Sequence, residues 1–235
     1  LLGRVTSGKG QHIDMALYDT LVSMHEYAVQ CYTLSGGTVL PQQTGHDMPT
    51  STLYGVFRAN DAWPAYNSIV GAGRNACVLH YRANTAQARD GDLVLIDAGA
   101  EYRGYAADIT RTFPVNGRFT PAQRALHDLV GEAQKAALAC ARVGVPYEAG
   151  HVAAVETLTE GLLKLGLLKG KLEKNLAEGS YRRFYRHKTG HWLGLDVHDV
   201  GDYRIDGESR LLEPGMVFTI EPGLYVSHDD ETVDP

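Results

Sequence analysis

Two aspartates and a glutamate stand in strand-like text where apolar residues would be expected, and three histidines crowd one short segment. Asp97 closes the run Leu93-Val94-Leu95-Ile96, Asp108 follows Tyr105-Ala106-Ala107, and Glu221 ends Met216-Val217-Phe218-Thr219-Ile220 ahead of Pro222-Gly223. A carboxylate on a packed strand is costly unless it is paired or metal-bound. If a tight turn at Arg103-Gly104 sets Tyr102 opposite Tyr105, Asp108 falls opposite Gly99, and Asp97 and Asp108 share a face as diagonal neighbours. Two ionised carboxylates so placed repel unless a cation lies between them. His187, His191 and His198 fall within twelve residues, beside glycines that let backbones approach closely. Each aspartate alone could cap a turn and Glu221 could be an edge carboxylate; the shared face and the nearby histidines favour a metal centre. Asp97, Asp108, His191 and Glu221 supply three hard oxygens and one imidazole, a set suited to manganese, cobalt, iron or zinc rather than to a thiolate-held structural zinc.

Other chemistries fail on the residues. Gly3 to Lys9 resembles a phosphate-binding loop, but Gly10 stands where the magnesium-binding hydroxyl must be, and extended rather than helical text follows. His25-Glu26 begins a zinc-protease HExxH, yet Val29 occupies the second histidine position. The 235 residues are 44% hydrophobic and 21% charged, which excludes disorder as the dominant state and suffices for one good-sized core or two small ones. A formal charge of -6 without a basic run argues against nucleic acid. No apolar stretch approaches the roughly 18 to 20 residues of a membrane span. Cys31, Cys77 and Cys140 are odd in number and set among apolar residues, which reads as reduced core thiols in a cytoplasmic protein.

The elements that must position these groups follow from periodicity. Leu17, Leu21, Met24 and Ala28 mark a helix that ends at Gly36-Gly37, and little periodicity follows as far as Asp61. Strand-like runs then appear at Asn67 to Val70, Ala76 to Tyr81, Asp92 to Tyr102 and Gly104 to Val115. Thr120 as N-cap and Pro121 at N1 open a helix with a stop at Gly144; a second spans about Tyr147 to Leu165, and a polar one lies near Lys171 to Glu178. Strand text returns at Leu193 to Val200 and Met216 to Val226, separated by turn-rich residues from Asp202 to Pro214. Strands before and after a helical pair predict an α+β fold.

The segments Trp63 to Gly71, Val78-Leu79-His80-Tyr81, Ile96-Asp97-Ala98-Gly99, Ala107 to Pro114, His191 to Asp199 and Ile220 to Tyr225 resemble, in order and separation, the pita-bread metallopeptidases specific for proline. The resemblance covers residues 62 to 235. It implies a pita-bread fold and a dinuclear site, commonly Mn2+ with Co2+, Zn2+ or Fe2+ as alternatives, that removes an N-terminal residue preceding proline. It also implies that Asp97 chelates one metal, Asp108 bridges both, His191 binds the second, and Glu221 ligates it and serves as general base. His80 would contact substrate, His187 would stabilise the tetrahedral intermediate and His198 would handle protons. The implied partners are peptides with proline at the second position, with neither nucleic acid nor membrane; whether the protomer forms a homo-oligomer stays open.

Two departures shape the expectation. The family's second bridging glutamate lies on a later strand that this sequence does not reach, so the reading is of a domain incomplete at both ends, with one metal held weakly and activity reduced. Residues 1 to 61 resemble instead an internal stretch of the family III CoA-transferases, in Gly8 to Asp19 and Leu53 to Phe57, with Asp19 at that family's catalytic position. They are expected to be an unrelated segment rather than an independent domain, packing poorly on the rest. A metal- or peptide-binding remnant without activity is the alternative function, and acyl-CoA transfer a third.

Overall fold

The computed structural model describes residues 62 to 227. The chain divides into two units, Leu1–Ala62 and Trp63–Pro235, and the described residues belong almost wholly to the second. The CoA-transferase-like reading of residues 1 to 61, with Asp19, and the tail containing Asp229, Asp230 and Glu231 lie outside the described residues.

Strands β1 (Ala62–Pro64), β2 (Ile69–Ala72), β3 (Leu93–Ala98), β4 (Ala100–Tyr102), β5 (Tyr105–Ala106) and β6 (Ile109–Pro114) precede three helices, α1 (Pro121–Ala139), α2 (Glu148–Lys164) and α3 (Leu172–Glu178). A small hairpin of β7 (Arg204–Ile205) and β8 (Glu208–Ser209) follows. One antiparallel sheet has the order β2-β3-β6, and a second has β1-β4-β5. The two share one continuous register. Asp97 lies opposite Thr110 and Ala98 opposite Ile109; the Ala107 amide donates to the Ala100 carbonyl; Tyr102 then meets Tyr105. The turn is the expected one, with Arg103 at φ 52° and Gly104 at φ 84°. Left-handed conformation at both central residues matches the twist of the flanking strands.

The runs read as single strands, Asp92 to Tyr102 and Gly104 to Val115, are each broken, at Gly99 and at Ala107-Asp108. A Cβ on Gly99 would lie 1.7 Å from the Ala107 carbonyl oxygen and 3.0 Å from the Tyr66 ring, so the ladder folds inward there. The Gly99 carbonyl accepts instead from Ala65. This bend passes the register from one sheet to the other without losing it.

Three further strand expectations are corrected. Ala76 to Tyr81 holds no strand; a 3-10 turn, Gly73–Cys77, occupies its start. Leu193 to Val200 curls back on itself, with Gly194 donating to the Asp196 carbonyl and Asp199 to Trp192. Asp199 lies against Gly194 where a Cβ would stand, 1.9 Å from its Oδ2, so the curl needs glycine there. Met216 to Val226 is likewise irregular, yet pairing survives locally. Leu193 donates to Val217, Thr219 to His191 and Glu221 to Thr189 in antiparallel sequence, with Trp192 bridged to Phe218.

The helices begin close to where the sequence places them. Thr120 and Gln123 form a reciprocal capping box with Pro121 at N1, although α1 ends at Ala139 rather than near Gly144. The core is the α1–α2 pair: Leu129, Ala133 and Ala137 against Ala154, Val155, Leu158 and Leu162, sealed by Phe184 and Tyr185. The pair is close because the facing residues are small. A Cβ on Gly161 would come within 2.1 Å of the Leu129 side chain. The thiols Cys77 and Cys140 are free and half-buried rather than in this core. Among the described residues no helix is long and apolar enough to cross a membrane.

One substitution at two helical glycines should act in opposite directions. Gly131→Ala on α1 meets nothing within 4 Å and should stabilise by up to about 1 kcal/mol through helix propensity. Gly161→Ala must displace the buried Leu129, and overpacking of roughly 1 to 3 kcal/mol exceeds that gain. Urea unfolding midpoints should rise for the first and fall for the second; a rise for both would mean that Leu129 has free space to move.

Candidate metal centre

Asp97 and Asp108 reach each other because of the bend at Gly99. The Tyr66 hydroxyl, from the loop between β1 and β2, lies 2.5 Å from Asp97 Oδ1 and 2.9 Å from Asp108 Oδ1. One hydroxyl carries one proton and cannot satisfy both oxygens fully, so the two carboxylates lie closer than their charges favour without a further proton or cation. Tyr66 was not singled out from the sequence. It stands in the quoted Trp63 to Gly71 segment, but no spacing rule ties it to carboxylates some thirty and forty residues away.

The other half comes from the paired segments around His191 and Glu221. A Cβ on Gly190 would lie 1.9 Å from the Thr219 carbonyl oxygen, so only glycine permits this approach. Thr219 ties the two together: its Oγ1 accepts from the His191 amide at 3.0 Å and donates to Glu221 Oε1 at 2.8 Å. The two halves meet at His191, whose Nε2 is 3.0 Å from Asp108 Oδ2 and 3.1 Å from Glu221 Oε1. Its Nδ1 lies 2.9 Å from the Trp192 carbonyl. A carbonyl can only accept, so Nδ1 keeps its proton, and the neutral ring presents its lone pair at Nε2, as a metal ligand must.

The charges are shifted accordingly. Burial pushes Asp97 up to about 6, the Tyr66 hydrogen bond opposing it and the Asp108 charge adding to it. Burial also acts upward on Asp108, but hydrogen bonds from His191 and Tyr66 prevail and hold it below the usual carboxylate range. Burial alone would lower His191; hydrogen bonds to Asp108 and Glu221 push it up to about 10. Burial and the adjacent carboxylates keep the Tyr66 hydroxyl protonated.

Asp108, His191 and Glu221 offer ligand atoms within 4.8 Å of one another. Two carboxylates around an imidazole nitrogen form a set of hard donors that fits a divalent cation. Asp97 stands beside this triad, across Tyr66. All four open into one cleft of about 640 Å³ that His80, His187 and His198 also line. The His198 ring packs edge-on against His191 with centroids 4.4 Å apart. His187 Nε2 is 2.9 Å from the Tyr225 hydroxyl, and its Nδ1 is 2.7 Å from the Lys188 carbonyl. The seven site residues that the peptidase resemblance implies thus line one cleft.

The pattern of metallopeptidase family M24 matches residues 14–233. The chain belongs to that family. The M24 match begins inside the segment that the sequence likened to a CoA-transferase. The chain is 54% identical over 169 residues to the Xaa-Pro aminopeptidase of Escherichia coli strain K12, covering 72% of this chain and 38% of that one. It is 47% identical over 192 residues to that of Haemophilus influenzae, covering 82% and 44%. It therefore spans about two fifths of the curated relatives it matches. Among solved structures, Pseudomonas aeruginosa aminopeptidase PepP superposes with a TM-score of 0.78 at 48% identity, over 90% of this chain and 48% of that one. A zinc-substituted Escherichia coli aminopeptidase P in complex with product gives 0.75 at 46% identity, over 89% and 47%. The M24 pita-bread fold expected from the sequence is the fold of these neighbours, and the family implies divalent metal ions.

At about pH 8, between the titrations of Asp97 and His191, the metal-free site carries a proton on His191 Nε2. A cation bound through that nitrogen must expel it. Calorimetric Mn2+ titration in buffers of different ionisation enthalpy should report about one proton released per ion; uptake without release would mean that His191 is already neutral there or is not a ligand. In a second measurement, Tyr66→Phe removes a donor that lowers Asp97. Carboxyl NMR should then show Asp97 titrating higher in the variant than in the wild-type chain, and a downward shift would show that Tyr66 does not stabilise its charge.

Proposed function

We propose that this chain carries the metal-binding and catalytic part of an Xaa-Pro aminopeptidase, which hydrolyses the peptide bond between an N-terminal residue and a following proline. The reading rests on one observation above all. Asp97, Asp108, His191 and Glu221 converge with His80, His187 and His198 on a single cleft, in a chain 54% identical to a protein named for this activity. The four ligand candidates would hold the divalent metal, Mn2+ first, with Co2+, Zn2+ or Fe2+ as substitutes. Bound there, such ions lower the pKa of a water and polarise the scissile carbonyl.

The chain's own groups supply the rest. Glu221 is steadied on Oε1 by the Thr219 hydroxyl, and its carboxylate faces the cleft as the proton acceptor. His187 keeps its Nδ1 proton on the Lys188 carbonyl, so when neutral its Nε2 accepts from Tyr225. Burial pushes the Tyr225 hydroxyl up to about 12, so it stays a donor at working pH. His187 is thereby oriented, and with a proton on Nε2 it would donate that N–H to charge that develops on the carbonyl oxygen. His198, against His191, handles protons at the same end of the cleft, and His80 contacts substrate. A peptide bond to proline lacks an N–H and is sterically shielded, so substrates are peptides with proline at the second position and need a shaped pocket. The free thiols of Cys77 and Cys140 support a cytoplasmic location.

The test compares Xaa-Pro-Pro with Xaa-Ala-Pro peptides after chelation and Mn2+ addition, with the released residue measured by mass spectrometry. Only the proline peptide should be cleaved, and Glu221→Gln should lower kcat roughly 10²-fold or more. Tight Mn2+ binding without product from either peptide would make the chain a binding remnant instead.

A further inference from the structure

Thr189 is 5% exposed and is used on both of its polar sides, although nothing in the chemistry above requires its side chain. Its Oγ1 lies 2.8 Å from His151 Nδ1 and 2.6 Å from the Tyr185 hydroxyl. A threonine hydroxyl donates one hydrogen bond and accepts others, so both contacts are satisfied at once. Its carbonyl accepts the Glu221 amide at 2.7 Å. One buried residue therefore joins α2, through His151, to the backbone that carries Glu221. A second tie runs in parallel, since Lys188 Nζ is 3.8 Å from Glu148 Oε1 at the start of α2. Glu148 and His151, three apart, lie on one face of the helix. The segment from His187 to His191 is thus clipped to α2 at two successive residues.

The anchor itself is firm. Tyr185 is 1% exposed and belongs to the core with Ala154, Val155 and Leu158 of α2. Burial, with the Lys188 charge adding to it, lowers the His151 pKa, so the ring is neutral near pH 7 and bonds to a hydroxyl without introducing a charge. Among the described residues, the segment it holds is paired only with residues 217 to 221, so the pair as a whole is fastened to the helical core through such ties. The bonds to Thr189 cross from the helical core to the ligand-bearing backbone, as does that from Gln134 Nε2 to the Ile220 carbonyl at 3.2 Å.

We propose that His151 and Thr189 are positioning residues, which set His191 and Glu221 at the separation that cation binding and proton transfer require by fastening their paired segments to α2. The proposal rests on the peptidase reading for its kinetic consequence and on the candidate metal centre for its binding consequence. Partners of this kind, one step beyond the ligands, change metal affinity or activity about ten-fold or more when removed.

The experiment uses Thr189→Val, which keeps the shape and removes the hydroxyl, and Thr189→Ser, which keeps the hydroxyl. His151→Phe and His151→Asn form the matching pair, since Asn places a polar atom near the position of Nδ1. Mn2+ affinity is read by calorimetry, and kcat and KM are read with an Xaa-Pro-Pro peptide, with the folded fraction monitored by circular dichroism. Val and Phe should weaken Mn2+ binding about ten-fold and lower kcat by a similar factor with KM within about two-fold, while Ser and Asn restore most of both. Folded Thr189→Val and His151→Phe with wild-type Mn2+ affinity would overturn the proposal, as would losses that Ser and Asn fail to rescue. If the wild-type chain binds Mn2+ but cleaves no peptide, the peptidase reading fails, while the comparison of affinities still decides the role of Thr189.

Discussion

The organising constraint of this molecule is the repulsion between carboxylates that its backbone forces together. Asp97 and Asp108 face a single hydroxyl, and Glu221 joins Asp108 around one imidazole nitrogen. Half-burial strengthens that repulsion, because less water screens it. Each neighbouring group answers to it. Tyr66 shares one proton between two acceptors, Thr219 donates to Glu221, and the Trp192 carbonyl holds the His191 ring in a fixed orientation. A cluster of this kind gains little as a stability device, since its components would be cheaper apart. It persists because packed elsewhere-stabilised elements, above all the α1–α2 core, hold the backbones in place.

Much of this was legible in the residues. The hairpin arithmetic needed only the Arg103-Gly104 turn and the two-residue alternation of strands, and it located both aspartates on one face. The candidacy of His191 and Glu221 as ligands followed from residue type in apolar or glycine-rich text, and the structure sets both beside Asp108. Helix α1 was announced by Thr120 and Pro121, and the end of α3 falls at Gly179, which takes the left-handed conformation at φ 68°. These signals are local, and local physics decides them.

What escaped the sequence is what tertiary contact decides. The break at Gly99 comes from the Ala107 carbonyl and the Tyr66 ring, neither of which alternation can reveal. Leu193 to Val200 has β-rich composition, yet its amides turn inward to Trp192 and Asp196 rather than to a neighbouring strand. Residues from Asp202 to Pro214 read only as turn-rich, and within them a two-residue turn at Asp206-Gly207 closes a real hairpin. Its Ser209 hydroxyl accepts the Glu148 amide at 3.0 Å, capping α2 from outside the helix. Tyr66 and Thr219 were missed for the same reason: a hydroxyl becomes a site residue only through the partner that folding brings to it.

The two halves of the centre differ in sequence span in a way that bears on how the native state forms. Asp97 and Asp108 are joined by a hairpin with a two-residue turn, a loop that closes fast and at small entropic cost. The hydrogen bond that unites the halves, from His191 to Asp108, spans 83 residues, and contacts of that separation are made late in a folding reaction. Two preformed local pieces must therefore dock for the centre to exist at all. A ligand gripping both would behave thermodynamically as a removable cross-link across that long loop, favouring the docked state in proportion to its concentration over its dissociation constant. Loading and structural maturation would in that sense be a single equilibrium.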